Sequence, residues 1–490
     1  MKCWARTLNH HRKWLEWSKE VIISGEASKE YFTADFINTR CTNSTSGAVI
    51  SDFVHIQIWK PDLPNPPVKE IPPNDTRPSV YIIVLDSVAN TQAWRSLPKT
   101  VAFLENSFGA VNYRHLNKAG ENSRPNAFAM FMGKLTTALE RRMFGMPSET
   151  VDFTKEESCR IPLDDKNFIL TEFTKAGYRS MMAEDWANGV YSYPSCIAMM
   201  WATELAHNNN NNLFHSDNYF FEFFRKHKKE FDNSYVFFLG DHGIRWGWLR
   251  HTYMGNREIN NPVLYISVPK HMRDRLTPQM QENKDKLVTS FDVHASFVDI
   301  LKDPFLNASS NGPQGLRGVS LFRKIPEEER SCRTLPVPFQ FCLCEYNRTL
   351  SLSDELNKLL SNAATFFLNQ SLFKSNLTSI CEVHTLRNVT KVHYIDRTNG
   401  LYEVQFNTNP CGGEFKTLVR TKKNPTSISD VTLEGEDFLR LNVYGRDAGC
   451  ITGTTWGDMR PRCCCKNRPT TTTTTKKPTT RIGVASTAKP

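Results

Sequence analysis

Gly240-Asp241-His242-Gly243 sets a carboxylate and an imidazole side by side. Both residue types bind divalent metals, through oxygen and nitrogen. The apolar run Tyr235-Val236-Phe237-Phe238-Leu239 leads straight into the pair. A second apolar run, Val80-Tyr81-Ile82-Ile83-Val84-Leu85, ends in Asp86-Ser87. Two buried strands that each deliver a ligand-type residue at their exit imply one metal site along one sheet edge. The third chemical element is Ser123, in Asn122-Ser123-Arg124-Pro125-Asn126, followed by Ala127-Phe128-Ala129-Met130-Phe131-Met132-Gly133. Proline is tolerated in a first helical turn, so Ser123 is expected at or just before a helix N-terminus. The free N–H groups and partial positive charge there suit a phosphate, a sulfate or an alkoxide. Alone, Ser123 reads as an N-cap; beside two metal-ligand strand ends it reads as a nucleophile.

The elements that must position these residues lie between Val80 and about Pro326, where strand-like runs alternate with helix-like segments. Val263–Val268 reads as a further strand, and Phe291–Leu301 as an amphipathic helix. Such alternation predicts an α/β layer fold with a mostly parallel sheet. A Pro-rich stretch, Pro61 to Pro78, precedes the first strand and cannot continue a helix or central strand. Residues 1–60 show no clear period. The aromatic run Tyr219–Phe224 has helical spacing and is expected in the core. The expected organisation is an N-terminal extension and linker (1–76), a catalytic core (77–330), a smaller Cys-rich α+β unit (331–465) and a disordered tail (466–490). The tail holds six consecutive threonines and six basic residues without an acid, and cannot bury a core.

Composition narrows the class. The formal net charge is +10, of which the tail supplies +6, so the charge gives no reason to infer nucleic acid. Mean hydropathy is −0.46, and no apolar run reaches the ~18 residues a membrane span needs. Nine of thirteen cysteines fall between Cys332 and Cys465, which predicts a disulfide framework. Cys342-x-Cys344 and Cys463-Cys464-Cys465 lack zinc-finger spacing. The odd count leaves at least one thiol free or paired between chains. Seven Asn-x-Ser/Thr sequons (Asn43, Asn74, Asn307, Asn347, Asn369, Asn376, Asn388) agree with the secretory pathway or extracellular space. Met1–Arg6 shows no hydrophobic signal core, so the expectation is that the true start lies upstream.

Ser-x-Pro-Asn with its apolar stretch and Gly133, together with Asp86 and Asp241-His242-Gly243, resembles the alkaline phosphatase superfamily. Leu85-Asp86-Ser87, Arg95-x-Leu97-Pro98-Lys99-Thr100, Gly120–Asn126, Phe291-Asp292-x-His294-Ala295, Cys332…Cys342-x-Cys344 and Asn442-Val443-Tyr444-Gly445 are similar to the animal family catalogued as domain of unknown function 229. The resemblance implies an alkaline-phosphatase-like α/β/α sandwich. It implies Ser123 as nucleophile, with a zinc or manganese ion held by Asp86, Ser123, Asp241 and His242. Asn126 would donate to a developing oxyanion. A second ion would need a further Asp-x-x-x-His pair and a late His. Thr203 stands where that Asp belongs, which leaves Glu204, His207 and His294 as the candidates. Arg250 and His251, close behind the Asp-His-Gly loop, are candidates to reach a substrate phosphate.

The function expected is a metal-dependent phosphoesterase or phosphotransferase acting on a phosphate ester. The alternative is a catalytically silent extracellular protein that keeps the fold for binding. Sulfatase chemistry ranks third, because Ala127 stands where formylglycine maturation needs Arg.

Overall fold

The computed structural model describes residues 1–11, 14–23, 34–56, 76–141, 146–154, 157, 166–185, 199–207, 209–245, 248–307, 312–326, 330–343, 349–396, 400–435, 438–452, 454 and 456–467. The Pro-rich stretch up to Asp75, the Thr-rich tail and Cys159, Cys196 and Cys344 lie outside them.

The central sheet has six strands. Their order is Val111–Asn112, Leu264–Ser267, Ser234–Gly240, Ser79–Leu85, Met199–Ala202 and Ala183–Glu184. Ser79–Leu85 pairs in parallel with both Ser234–Gly240 and Met199–Ala202, and Ala183–Glu184 continues in parallel. Leu264–Ser267 runs antiparallel to both of its neighbours, Ser234–Gly240 and Val111–Asn112. Alternate residues of a strand face opposite sides. Ile82, Val84, Phe237 and Leu239 therefore meet the helices Ser123–Met132 and Ser290–Lys302 on one face. Ile83, Leu85, Val236 and Phe238 meet Asn90–Ser96, Pro98–Phe108 and Asp217–Lys226 on the other. Strands covered on both faces must be apolar throughout, which is why these runs lack polar alternation. The expected α/β sandwich with a largely parallel sheet is what forms. Within the aromatic run only Phe220 and Phe224 are buried; Tyr219 is 79% exposed, because one helix face cannot hide six consecutive positions.

Residues expected to lack a period form an antiparallel sheet instead: Lys2–His11, Trp14–Trp17, Val21–Ile22, Phe36–Thr42 and Val49–Ile56. Cys3 and Cys41 face each other across it and are disulfide-bonded. The C-terminal unit is α+β. Helix Asp354–Lys374 packs its Leu360, Ala364 and Leu368 on an antiparallel sheet built around Thr385–Asp396, Leu401–Asn409 and Gly413–Thr421. Cys463, Cys464 and Cys465 bond in turn to Cys381, Cys411 and Cys450, and Cys332 to Cys342. All ten described cysteines are thus paired. Closing loops of these lengths stabilises a small unit by about 2–4 kcal/mol per bond. Among the described residues no helix is long and apolar enough to cross a membrane.

Candidate active site

Register builds the site. Leu85 sits opposite both Gly240 and Ala202 in the parallel sheet. The next residue of each strand, Asp86, Asp241 and Thr203, therefore leaves the same edge at the same level. Asp86, Asp241 and His242 are buried, and their ligand atoms lie within 4.8 Å of one another. Ser123 is the first residue of its helix, as expected. Its Oγ lies 3.1 Å from Asp86 Oδ2 and 3.4 Å from His242 Nε2.

The surrounding backbone fixes these groups. Ser87 adopts φ +64°, an uncommon conformation for a residue with a Cβ. That turn lets its N–H donate to Asp241 Oδ1 at 3.0 Å and its hydroxyl to Asp86 Oδ1 at 2.8 Å. Gly243 is required by contact: a Cβ there would come within 2.2 Å of the Glu258 carbonyl oxygen. His242 Nδ1 lies 2.8 Å from the Gly243 carbonyl, so Nδ1 carries the proton and the Nε2 lone pair faces Ser123 and the carboxylates.

Electrostatics favour a cation at this group. Burial raises the Asp86 carboxyl above its usual range, and Asp241 beside it adds to the rise. Burial raises Asp241 as well. Burial lowers the His242 imidazole to about 3, against the pull of Asp86, so it is neutral. Asp241 Oδ2 is buried without a hydrogen-bond partner. Two desolvated carboxylates and an inward lone pair are costly together, and a divalent cation removes that cost. The residues present fit such an ion.

The other expected site residues fall elsewhere. Asn126 is fully buried, and its amide is taken up by backbone. Its Oδ1 accepts from Ala119 N at 2.6 Å and Gly120 N at 3.1 Å, and its Nδ2 donates to the Gly120 and Asn122 carbonyls. It braces the loop before Ser123 and has no amide hydrogen left for an oxyanion. His294 is corrected too. Its Nδ1 is 3.2 Å from the Met130 carbonyl, and its ring lies over Gly133. Met130 is about 10 Å along the helix from Ser123 at 1.5 Å per residue. Glu204 is exposed, outside the ligand group, with its backbone N–H on Asp185. His207 Nε2 meets Arg245 Nη2 at 3.2 Å, outside the ligand group. Thr203 Oγ1 and Trp201 Nε1 reach Asp86 Oδ2 at 3.5 and 3.4 Å, where a second ion would need a further ligand. Arg250 is buried, donating to the Arg245 carbonyl and to Glu121. The His251 side chain lies outside the described residues.

Sequence reasoning singled out Arg250 but missed the buried Lys118 and Glu121 that cluster with it beside the site. Lys118 is fully buried, its Nζ 3.1 Å from Glu121 Oε2 and 4.4 Å from the centre of the Phe341 ring. Arg250 Nη2 approaches Glu121 Oε1 at 3.3 Å. Burial alone would raise the Glu121 carboxyl, but Lys118, Arg250 and Arg245 pull it down to about 2. Burial lowers Lys118 to about 8 against the pull of Glu121. No sequence period marks these loop positions.

The model for the family described as "Protein of unknown function (DUF229)" matches residues 6–197 and 190–390. The chain belongs to this family. DUF229 was the family its motifs resembled, so that reading holds. No curated protein matches the chain. Solved structures of similar shape include phosphonate monoester hydrolase SpPMH from Silicibacter pomeroyi. It is 11% identical with a TM-score of 0.38, over 70% of this chain and 88% of that one. A protein in the alkaline phosphatase superfamily from Vibrio parahaemolyticus is 11% identical with a TM-score of 0.33, over 79% and 85%. The lipoteichoic acid synthase LtaP from Listeria monocytogenes is 11% identical with a TM-score of 0.32, over 51% and 77%. At these scores the neighbours carry no statement about the activity of this DUF229 chain.

Proposed function

We propose that this chain is a metal-dependent phosphoester hydrolase or phosphotransferase with Ser123 as nucleophile. The observation that carries the reading is the position of Ser123 Oγ. It opens a helix and touches Asp86 and His242 within a buried Asp/Asp/His group. Asp86, Asp241 and His242 would hold one ion, with Ser123 completing the set, and mixed N/O ligands suit zinc or manganese. A bound ion supplies Lewis-acid stabilisation of the attacked group and lowers the pKa of the serine.

The chain's own residues do the rest. The Ser123 hydroxyl points at Asp86 Oδ2, and its place at a helix N-terminus favours negative charge developing beside it. Oγ gives up its proton and forms a bond to phosphorus as the bond from phosphorus to the alcohol oxygen breaks; the alcohol leaves with a proton, and a phosphoserine remains. Water, or a second alcohol in a transferase, then displaces Oγ and restores the serine. Asn126 holds the loop that presents Ser123. The five disulfides support a location in the secretory pathway or outside the cell.

The test is turnover of p-nitrophenyl phosphate and bis-p-nitrophenyl phosphate by zinc- or manganese-loaded protein, beside a Ser123→Ala control. Turnover that disappears with the serine supports the reading; no turnover above that control overturns it.

A further inference from the structure

The loop that leads into Ser123 is gripped at both ends. Asn117 closes the strand Leu116–Asn117, and Ser123 opens its helix six residues later. At the near end, Asn126 bonds to Ala119, Gly120 and Asn122. Gly120 packs so closely on Pro125 that a Cβ there would come within 2.3 Å of the ring. At the far end, Asn117 is fully buried. Its Oδ1 accepts from Leu343 N at 2.8 Å. Its Nδ2 donates to the Phe341 carbonyl at 2.8 Å and to the Lys118 carbonyl at 3.0 Å. One amide thus holds the residues on either side of Cys342.

Cys342 is bonded to Cys332, and the segment they close straps over two paired strands. Asn117 lies opposite Thr289 in the parallel pair Leu116–Asn117 and Val288–Thr289. Two residues before Cys332, Arg330 donates to Asp292 Oδ2 at 2.6 Å and to the Leu287 carbonyl at 2.9 Å. Asp292 Oδ2 also accepts from Thr289 N at 2.7 Å. At the other end of the segment, the centre of the Phe341 ring lies 4.4 Å from Lys118 Nζ. That ammonium reaches Glu121 Oε2 at 3.1 Å, two residues before Ser123. The motifs around Asp292, Cys332 and Cys342, which the metal site leaves unused, thus converge on the loop of the nucleophile.

Asn117–Asn122 includes a glycine, and such a loop has many conformations of similar energy unless its backbone is tied down. Here the far-end ties come from the C-terminal unit, and the Cys332–Cys342 bond limits the positions open to Phe341 and Leu343. We propose that this disulfide-closed segment is part of the catalytic apparatus and sets, through Asn117, the position of the loop that presents Ser123. Asn117 and Phe341 are its positioning residues. Asp86, Asp241 and His242 come from the sheet edge, so the segment governs turnover and leaves the ion in place. A reacting group displaced by about 1 Å costs on the order of a hundredfold in rate. This rests on the phosphoester reading above and deepens it.

The test uses the metal-loaded full chain with p-nitrophenyl phosphate. Asn117→Ala and the double variant Cys332→Ser/Cys342→Ser are each expected to lower kcat at least about tenfold, with KM and ion content within about twofold of wild type. Amide hydrogen exchange over residues 119–126 is expected to quicken at least about tenfold in both, and to stay unchanged in the strand Ser234–Gly240. Cys3→Ser/Cys41→Ser, which opens the bond of the N-terminal sheet, is expected to keep kcat within about twofold. An unchanged kcat in the folded variants, or a fall matched by loss of the ion, overturns the positioning role. If the Cys332→Ser/Cys342→Ser chain does not fold, Asn117→Ala and Phe341→Leu decide by the same readouts. If wild type turns over no ester, the phosphoester reading fails, and exchange decides the brace separately. Faster exchange over residues 119–126 in Asn117→Ala upholds it; unchanged exchange overturns it.

Discussion

Two buried histidines sit near the two ends of one helix. His242 faces its N-terminus and His294 packs under its C-terminus. Burial lowers both imidazoles, to about 3 for His242 and about 4 for His294. Their neighbours differ. His242 turns Nε2 toward Ser123, Asp241 and Asp86, at 3.4, 3.3 and 3.9 Å. His294 meets a backbone carbonyl and a glycine. A lowered imidazole therefore marks burial, and only convergent carboxylates and a hydroxyl make it a candidate ligand.

The largest effects should separate the two ends. Ser123→Ala is expected to lower kcat/KM at least about a thousandfold with metal content unchanged to within the ion's remaining ligands. His242→Ala should lose both activity and metal, read by turnover and elemental analysis. His294→Ala should keep both to within about twofold while costing about 2 kcal/mol of stability from the lost packing. Loss of metal in His294→Ala would erase the distinction.

Acid sharpens it further. The folded His294 binds its proton near pH 4, the unfolded chain near 6.5, so the unfolded state binds more protons between them. The stability from neutral His294 is full above about pH 6.5 and falls as pH drops toward 4, by about 3 kcal/mol in all. Denaturant midpoints of wild type and His294→Gln should converge over that window; parallel curves would contradict the assignment.

Asn126 gives an intermediate test. Asn126→Ala leaves four backbone groups of the Ala119–Asn122 loop without their partner. A loss of about 1–3 kcal/mol is expected. An unchanged melting temperature with a fall in kcat alone would restore the oxyanion role. The smallest effect belongs to Gly133→Ala. At φ +63°, with a Cβ placed 2.6 Å from His294 Cδ2, it should cost about 1–2 kcal/mol and leave metal content intact.

The meeting of Asp86 and Asp241-His242 at one sheet edge was legible in the sequence because fully buried strands are apolar throughout, and the first polar residue after each marks its exit. Ser123 was legible through Pro125, which fits only the first turn. The adjoining cluster was not. Lys118 and Glu121 are ordinary loop residues until folding brings Arg250 to Glu121 across 129 positions. Asn126 was misread because an asparagine bracing a loop and one donating to an oxyanion look alike in sequence. His294 was misread because its helix is amphipathic, and a core-facing histidine at helical spacing carries no sign of its neighbours. The N-terminal sheet escaped notice because it leaves Phe36, Ile50 and Phe53 exposed, which blurs the alternation that marks a half-buried strand.

The most direct test is the metal content of protein purified after loading with zinc or manganese. Wild type and His294→Ala are expected to hold about one ion per chain, and Asp241→Asn close to none. A metal-free wild type, or equal content in wild type and Asp241→Asn, would contradict the assignment of Asp86, Asp241 and His242 as the metal centre.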